Sequence, residues 1–330
     1  MAWTNGGLQT ARVGKKDEFY TTIDVVSKEC AYYNFKGGYV LCNCNDDYFS
    51  AFWRYFHLHF KQLELRKLVG ISYGDNAEVH IYTGGQDADI YACDVIKLQG
   101  RGDFRDAECI KYFEEADFLV TNPPFSLFRE YLRYAMQYEK KILILGNIND
   151  VVCKDVFPLF KADKIFIGAS IHGGDREFQV PAEYPLEAWH YREDADGNRF
   201  IRVPSIRWFT NIGQPHPLSI TFTQNYTPEN YPAYDNYRAV EVGKVKDIPV
   251  DYAGVMGVPL TFFDKYNPAQ FEIVGMCDCS NTSGLQIKKY TAKDCSNYNS
   301  CNGSGVLKTE TGYKPVYARV LIRWRKVLSN

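Results

Sequence analysis

Through the first half of the chain, short apolar runs alternate with stretches whose apolar positions recur every three to four residues. Tyr39–Cys44, following Gly37-Gly38, reads as a strand, and Tyr48–Leu65 as a helix. Arg66–Tyr73 and the shorter Val79–Tyr82 read as further strands, and Asp106–Glu115 as helix. Asp117–Thr121 is a strand stopped by Pro123-Pro124, and Leu127–Tyr138 is an amphipathic helix. Lys141–Gly146 is a strand, Val151–Lys161 is helical, and Lys164–Ala169 is again a strand. Such alternation predicts an α/β fold, a mostly parallel sheet with helices packed on it. After about Gly173 the pattern breaks up. Arg207–Ile212 is one clear strand, and from Gly213 onward Pro215, Pro217, Pro228 and Pro232 punctuate a loop-rich or β-rich region. The expected division is therefore residues 1–212 and 213–330.

Composition narrows the class. With 330 residues, 45% hydrophobic and 24% charged, the chain suits a folded globular protein and not a disordered or fibrous one. No apolar run approaches the ~18 residues of a membrane-spanning helix. Met1–Lys16 lacks the apolar centre of a secretory signal, so the ten cysteines are expected to be reduced thiols in the cytoplasm. The 25 Tyr and 21 Phe fit either core packing or the stacking of planar ligands. Net charge is −2, but Leu285–Asn330 holds nine basic residues (Lys288, Lys289, Lys293, Lys308, Lys314, Arg319, Arg323, Arg325, Lys326) against Asp294 and Glu310, a local +7. That segment would suit a polyanion, or be a solvated basic face.

Thr121-Asn122-Pro123-Pro124-Phe125 changes the picture most. It stands between a predicted strand and a predicted helix, at the sheet edge where open α/β folds bind ligands. It could be merely a rigid turn with Phe125 in the core. The residue types suit a more specific chemistry. An exocyclic adenine amine is a poor nucleophile because its lone pair is delocalised into the ring. Two acceptors holding its two N–H groups would draw that lone pair out of conjugation. The Asn122 side-chain oxygen is one candidate acceptor and the Pro123 carbonyl the other, held by proline's restricted backbone. Phe125 offers a face on which an extruded base can stack. Catalysis of this kind is mainly proximity and preorganised electrostatics.

With these residues the chain resembles adenine-N6-specific DNA methyltransferases of the EcoRI modification-enzyme type. Thr121–Leu132 is similar to their catalytic motif and following helix. Lys16–Thr21 resembles the segment before the first strand that contacts S-adenosylmethionine, which implies Phe19, Tyr20 and Thr21 as cofactor residues. Gly102-Asp103-Phe104-Arg105 resembles a cofactor-side motif, with Asp103 accepting from the cofactor's adenine and Phe104 near its ring. Trp208-Phe209-Thr210-Asn211 resembles the late strand that lines the flipped-base pocket. Asp247–Pro249, Tyr252–Phe262 and Tyr266–Pro268 also look like family sequence, without an assigned role. The resemblance implies a Rossmann-like S-adenosylmethionine-dependent methyltransferase sheet with helices on both faces as the catalytic domain, residues 1–212. It implies a target-recognition region at 213–330 that engages double-stranded DNA. There Lys288, Lys289, Arg319, Arg323, Arg325 and Lys326 are the expected phosphate contacts. A cognate restriction endonuclease would act on the same site without a stable complex.

The pattern departs from the wider methyltransferase group in lacking a glycine-rich loop after the first strand. Cys42-Asn43-Cys44-Asn45-Asp46-Asp47 stands there instead. Asn45 and Asp46 are candidates for the cofactor's amino group or for a helix N-cap, and Asp75 for its ribose. Cys277, Cys279, Cys295 and Cys301 lack the paired spacing of a zinc site and are expected to be thiols in a long loop, so no metal is expected. Two alternatives stay open: the same fold acting on RNA or on protein glutamine amides, and a nucleic-acid-binding protein without catalysis.

Overall fold

The computed structural model describes residues 21–44, 46–47, 50–85, 89, 91–171, 176–180, 191–203, 205–213, 220–278, 280 and 282–326. The chain divides into two compact units, residues 1–147 with 167–215, and residues 148–166 with 216–330. Residues 148–166, expected within a continuous 1–212 domain, thus group with the C-terminal unit.

In the first unit the elements run α1 (Ile23–Cys30), β1 (Tyr39–Cys42), α2 (Ala51–Leu58), β2 (Lys67–Ile71), β3 (Glu78–Tyr82), β4 (Asp94–Lys97), α3 (Ala107–Glu115), β5 (Phe118–Thr121), α4 (Phe128–Gln137) and β6 (Lys141–Asn147). After α5 (Phe157–Lys161) come β7 (Phe166–Ile167), β8 (Arg176–Val180), β9 (Tyr191–Glu193), β10 (Arg199–Val203) and β11 (Ile206–Thr210). Eight strands form one sheet in the order β4-β3-β2-β1-β5-β6-β11-β7, and β8-β10-β9 form a small separate sheet. β2-β1, β1-β5 and β5-β6 pair in parallel, whereas β3 on β2, β4 on β3 and β11 on β6 are antiparallel. The expected mostly parallel sheet is therefore mixed, a parallel centre with antiparallel flanks. The connections between β2 and β3 and between β3 and β4 are shorter than the dozen or more residues that a parallel crossover requires.

Strand alternation assigns the two faces. Val40 and Cys42 of β1, Phe118 and Val120 of β5, Leu143 and Leu145 of β6 and Trp208 of β11 share a core with Val26 and Cys30 of α1 and Phe52, Trp53 and Phe56 of α2. The intervening residues point the other way. There Phe209 meets Phe128 of α4 at 4.8 Å between ring centroids. The same Phe128 ring lies where any side chain at Gly146 of β6 would have to go. α4 buries Phe128, Tyr131, Leu132 and Ala135, the i, i+3, i+4, i+7 stripe of a half-buried helix. α2 starts at Ser50, whose Oγ accepts from the Phe52 N–H at 3.1 Å, so Ser50, not Asn45 or Asp46, is its N-cap.

Chain order runs outward from β1 through β2 and β3 to β4 on one side and from β5 to β6 on the other, beyond which β11 lies inside β7. The boundary between β1 and β5 is thus a topological switch point, where the connections leaving the two strands run in opposite directions.

The second unit contains α5, β12 (Val240–Glu241), β13 (Met256–Pro259), β14 (Phe271–Met276), α6 (Tyr298–Asn302), β15 (Val306–Thr309), β16 (Gly312–Pro315) and β17 (Arg319–Trp324). Four of these strands pair as β12-β13-β17-β14, and β15-β16 is a hairpin. Phe222, Phe262, Phe271 and Trp324 form its aromatic core, with Phe271 and Trp324 at 4.2 Å between centroids. The segment expected to be a long exposed loop is anchored instead. The buried Asn236 donates to the carbonyls of Cys301 and Ser304 and accepts from the Val306 N–H. Cys295 and Cys301 lie 3.6 Å apart at sulfur, while Cys277 packs in a different cluster. Among the described residues no helix is long and apolar enough to cross a membrane.

Candidate active site

The turn after β5 ends a strand buried on both faces. Pro124 accepts at its carbonyl from the Leu127 N–H at 2.8 Å, and Phe125 from the Phe128 N–H at 3.4 Å, which carries the chain into α4. Among the described residues, nothing donates to the Pro123 carbonyl. Asn122 is half-buried, and its Nδ2 lies 3.4 Å from Oγ1 of Thr21. The fold thus brings Thr21, expected on the cofactor side, to the Asn122 turn. Phe125 is only 6% exposed and packs in the apolar core. In this conformation its ring is a packing residue.

The loop leaving β1 lies beside that turn. Asp46 is buried, and its carboxylate accepts from Ser50 Oγ at 2.5 Å, Thr121 Oγ1 at 2.6 Å and the Cys44 N–H at 3.3 Å. Burial pushes its pKa up to about 6, against the opposing effect of the hydrogen bonds from Ser50, Thr121 and Cys44. Asn43 accepts at Oδ1 from the Tyr131 hydroxyl of α4 at 2.5 Å. Its Nδ2 is buried and has no hydrogen-bond partner among the described residues. A buried amide donor at the end of β1 fits an acceptor such as the carboxylate of an amino-acid moiety, as in S-adenosylmethionine.

The third wall is the turn before α3. Gly102 sits at φ +77°, with Ser72 O where a side chain would begin, so only glycine fits. Asp103 accepts from Arg105 at Nε (2.8 Å), Nη2 (2.5 Å) and the backbone N–H (3.0 Å), and this partner holds its carboxyl below the usual range. Phe104 is buried edge-on to Tyr131 at 5.0 Å. Asp75 pairs with Arg101 at 3.2 Å on the surface. Phe19, Tyr20 and Asn45 lie outside the described residues.

Trp208 and Phe209, expected to line a base pocket, are fully buried on opposite faces of the sheet, against Phe52 and Phe128. Neither offers a face to a base, because both sides of β11 are used in packing. The expected phosphate contacts lie in the second unit and differ among themselves. Arg319 closes on Glu241 at 2.7 Å with both side chains nearly buried, and Lys288 pairs with Asp235 at 2.6 Å. Arg323 pairs with Glu272 at 2.6 Å, and Arg325 donates to the Pro268 carbonyl at 2.5 Å. Lys289 and Lys326 are exposed. Counting charge within 285–330 missed these partners, all of which come from outside that window. Sequence reading also gave no role to Asn43, Ser50 or Tyr131. Hydrogen-bonding side chains flanking a strand end were the only signal.

A topological switch point flanked by a polar loop after the first strand and an Asn-Pro-Pro-Phe turn after the adjacent parallel strand defines the class, an S-adenosylmethionine-dependent methyltransferase of amino groups. The family model described as adenine-specific methyltransferase EcoRI matches residues 7–325, and the chain belongs to that family. Among curated proteins it is 40% identical over 290 residues to the Type II methyltransferase M.EcoRI of Escherichia coli, covering 82% of this chain and 89% of that one. It is 38% identical over 281 residues to M.MgeORF184P of Mycoplasma genitalium (82% and 84% covered). It is 35% identical over 327 residues to M.MpnI of Mycoplasma pneumoniae (96% and 97%). No solved structure matches. The chain is thus an adenine-specific DNA methyltransferase with S-adenosylmethionine as methyl donor.

Proposed function

We propose that Asn122, Pro123, Pro124 and Phe125 form the catalytic pocket for an adenine flipped out of duplex DNA. What supports this reading is that the Pro123 carbonyl, next in sequence to Asn122, receives no donor among the described residues, so both groups can serve as acceptors for one amine. S-adenosylmethionine supplies an electrophilic sulfonium methyl. The Asn122 oxygen and the Pro123 carbonyl take the two N–H groups and draw the lone pair out of conjugation, localising it on nitrogen toward the methyl. The N–C bond forms as the S–C bond breaks, and one amine proton leaves through these acceptors to water. Pro124 holds the turn rigid, and Phe125 stacks the base once DNA binding exposes its ring. Thr21, Asn43 and Asp103, with Phe19, Tyr20, Asn45 and Phe104, provide the cofactor side. The C-terminal region, residues 213–330, reads the target, and Lys289 and Lys326 contact phosphates. The chain works in the cytoplasm as the modification partner of a restriction endonuclease that recognises the same site.

The test is methyl transfer to unmodified duplex DNA by wild type and Asn122→Ala, with RNA and glutamine peptides as parallel acceptors. Loss of about 10²-fold or more in kcat is expected on DNA, the size of removing one preorganised acceptor. Calorimetry with S-adenosylhomocysteine shows whether the variant keeps its cofactor site. Wild-type kcat in Asn122→Ala, or transfer only to RNA or peptide, would overturn the proposal. Sequencing native DNA from an expressing host reports the modified base and its context.

A further inference from the structure

The geometry points to Asp46 as the positioning residue that locks Thr121, and through it the Asn122 turn, to the loop after β1. This rests on the reading of Asn122–Phe125 as the catalytic turn. Asp46 joins three strand ends and one helix start. Its own loop leaves β1, its N–H donates to the Ile71 carbonyl of β2 at 2.9 Å, and its carboxylate takes Thr121 of β5 and Ser50, the cap of α2. Both carboxylate oxygens are engaged by donors of the chain itself, Oδ1 by Ser50 and Oδ2 by Thr121 and Cys44. With three donors of its own chain on about four acceptor sites, such a group suits holding the fold more than receiving a cofactor ammonium, the role expected of it from sequence.

The charge is what makes the joint work. An amide in the same place would offer one acceptor oxygen and an unwanted donor, whereas an ionised carboxylate accepts at every lone pair. Among the described residues no cation is found acting on it. Its titratable neighbours there are Asp47 in the same loop, Cys42 and Cys44 just before it, and Tyr131 on α4, all acids. Protonation would turn one oxygen into a donor and break the simultaneous acceptance. Thr121 immediately precedes Asn122, so the joint sets where the amide oxygen stands. A displacement near 1 Å at a reacting group costs about 10²-fold in rate.

The experiment measures kcat, the KM for S-adenosylmethionine and the Kd for S-adenosylhomocysteine across about pH 5 to 8. It uses unmodified duplex DNA and the full-length chain as wild type, Asp46→Asn, Thr121→Val, Thr121→Ser and Asn122→Ala. Asp46→Asn and Thr121→Val are expected to lower kcat about 10–100-fold while KM and Kd stay within about threefold. Thr121→Ser, which keeps the hydroxyl, restores most of the rate. The wild-type kcat falls on the acid side with a midpoint near 6. That limb disappears in Asp46→Asn and moves upward in Thr121→Val, which loses a hydrogen bond to the ionised form. Weakened S-adenosylhomocysteine binding with unchanged kcat would make Asp46 a cofactor ligand and overturn the inference. An acid limb that persists in Asp46→Asn, or full activity in Thr121→Val, would overturn it too. If Asp46→Asn does not fold, the Thr121→Val and Thr121→Ser pair decides alone. Asn122→Ala separates the two readings. Activity in that variant sinks the catalytic turn itself, whereas its inactivity beside a fully active Thr121→Val sinks only the joint.

Discussion

Arg319 Nη2 lies 2.7 Å from Glu241 Oε1, and Arg319 Nε lies 3.1 and 3.2 Å from the two oxygens of the same carboxylate, with both side chains about nine-tenths buried. Glu241 also accepts from the Tyr234 hydroxyl. An arginine held this way is committed to the fold. Arg319→Ala leaves a buried carboxylate with only tyrosine for company. Denaturant unfolding should show a loss of about 3–5 kcal/mol for such a broken pair. At a temperature where the variant is folded, the salt dependence of its DNA binding should match wild type.

Lys289 and Lys326 make the opposite case, because both are exposed. Each neutralised phosphate contributes roughly 0.9 to the slope of log K against log salt. Lys289→Ala and Lys326→Ala should each lower the slope by about that amount, leave the melting temperature unchanged, and weaken binding to all sequences alike. Filter binding over a salt series checks this.

Glu29 of α1 accepts from the Tyr33 hydroxyl at 2.7 Å and from the backbone N–H groups of Ala169 and Ser170 at 2.7 and 2.6 Å. It is fully buried and fastens the first helix to the chain beyond β7. Glu29→Gln turns an NH₂ group on one of these donors, and the melting curve should report a loss of about 1–3 kcal/mol. kcat at low temperature should be preserved, since none of these groups is bonded to the Asn122–Phe125 turn proposed as catalytic.

Asp46 also predicts a pH dependence of stability. Its folded-state value is raised from 3.8 to about 6, so between these values the native state binds more protons than the unfolded chain. Stability therefore falls as pH rises through that window. The cost is absent below about pH 4 and complete above about pH 6, near 3 kcal/mol for a two-unit shift. Asp103 and Asp235 shift the other way, so wild type alone would mix signs. The stability of wild type minus that of Asp46→Asn isolates the effect and should drop by about 3 kcal/mol between pH 4 and 7. A flat difference would contradict it.

The elements that the sequence announced were those carried by local patterns. β1, β5 and β6 are short apolar runs, and α4 shows its stripe of Phe128, Tyr131, Leu132 and Ala135 without help from the rest of the chain. β4, whose four residues are all exposed, offers just Val95 and Ile96 between two charged residues, too short an apolar run to mark a strand, and was missed. The antiparallel flanks were missed for a similar reason, since strand direction is not written in a strand's own residues. At the site, Asn122 through Phe125 was legible because proline and asparagine restrict the backbone wherever they stand. Asn43, Ser50 and Tyr131 were not, because an Asn, Ser or Tyr is informative only once its partner is known.

Taken alone, the amino-acid order determined a strand-turn-helix bearing Asn-Pro-Pro-Phe at a sheet edge, from which the chemistry proposed for that turn follows. The tertiary structure decided which charged and polar groups were left to do it. Thr121 reaches Asp46 across 75 positions, and Arg319 reaches Glu241 across 78. Backbone restriction and apolar periodicity act between near neighbours and so are visible along the chain. Hydrogen bonds and ion pairs depend on separations of about 3 Å that only folding creates.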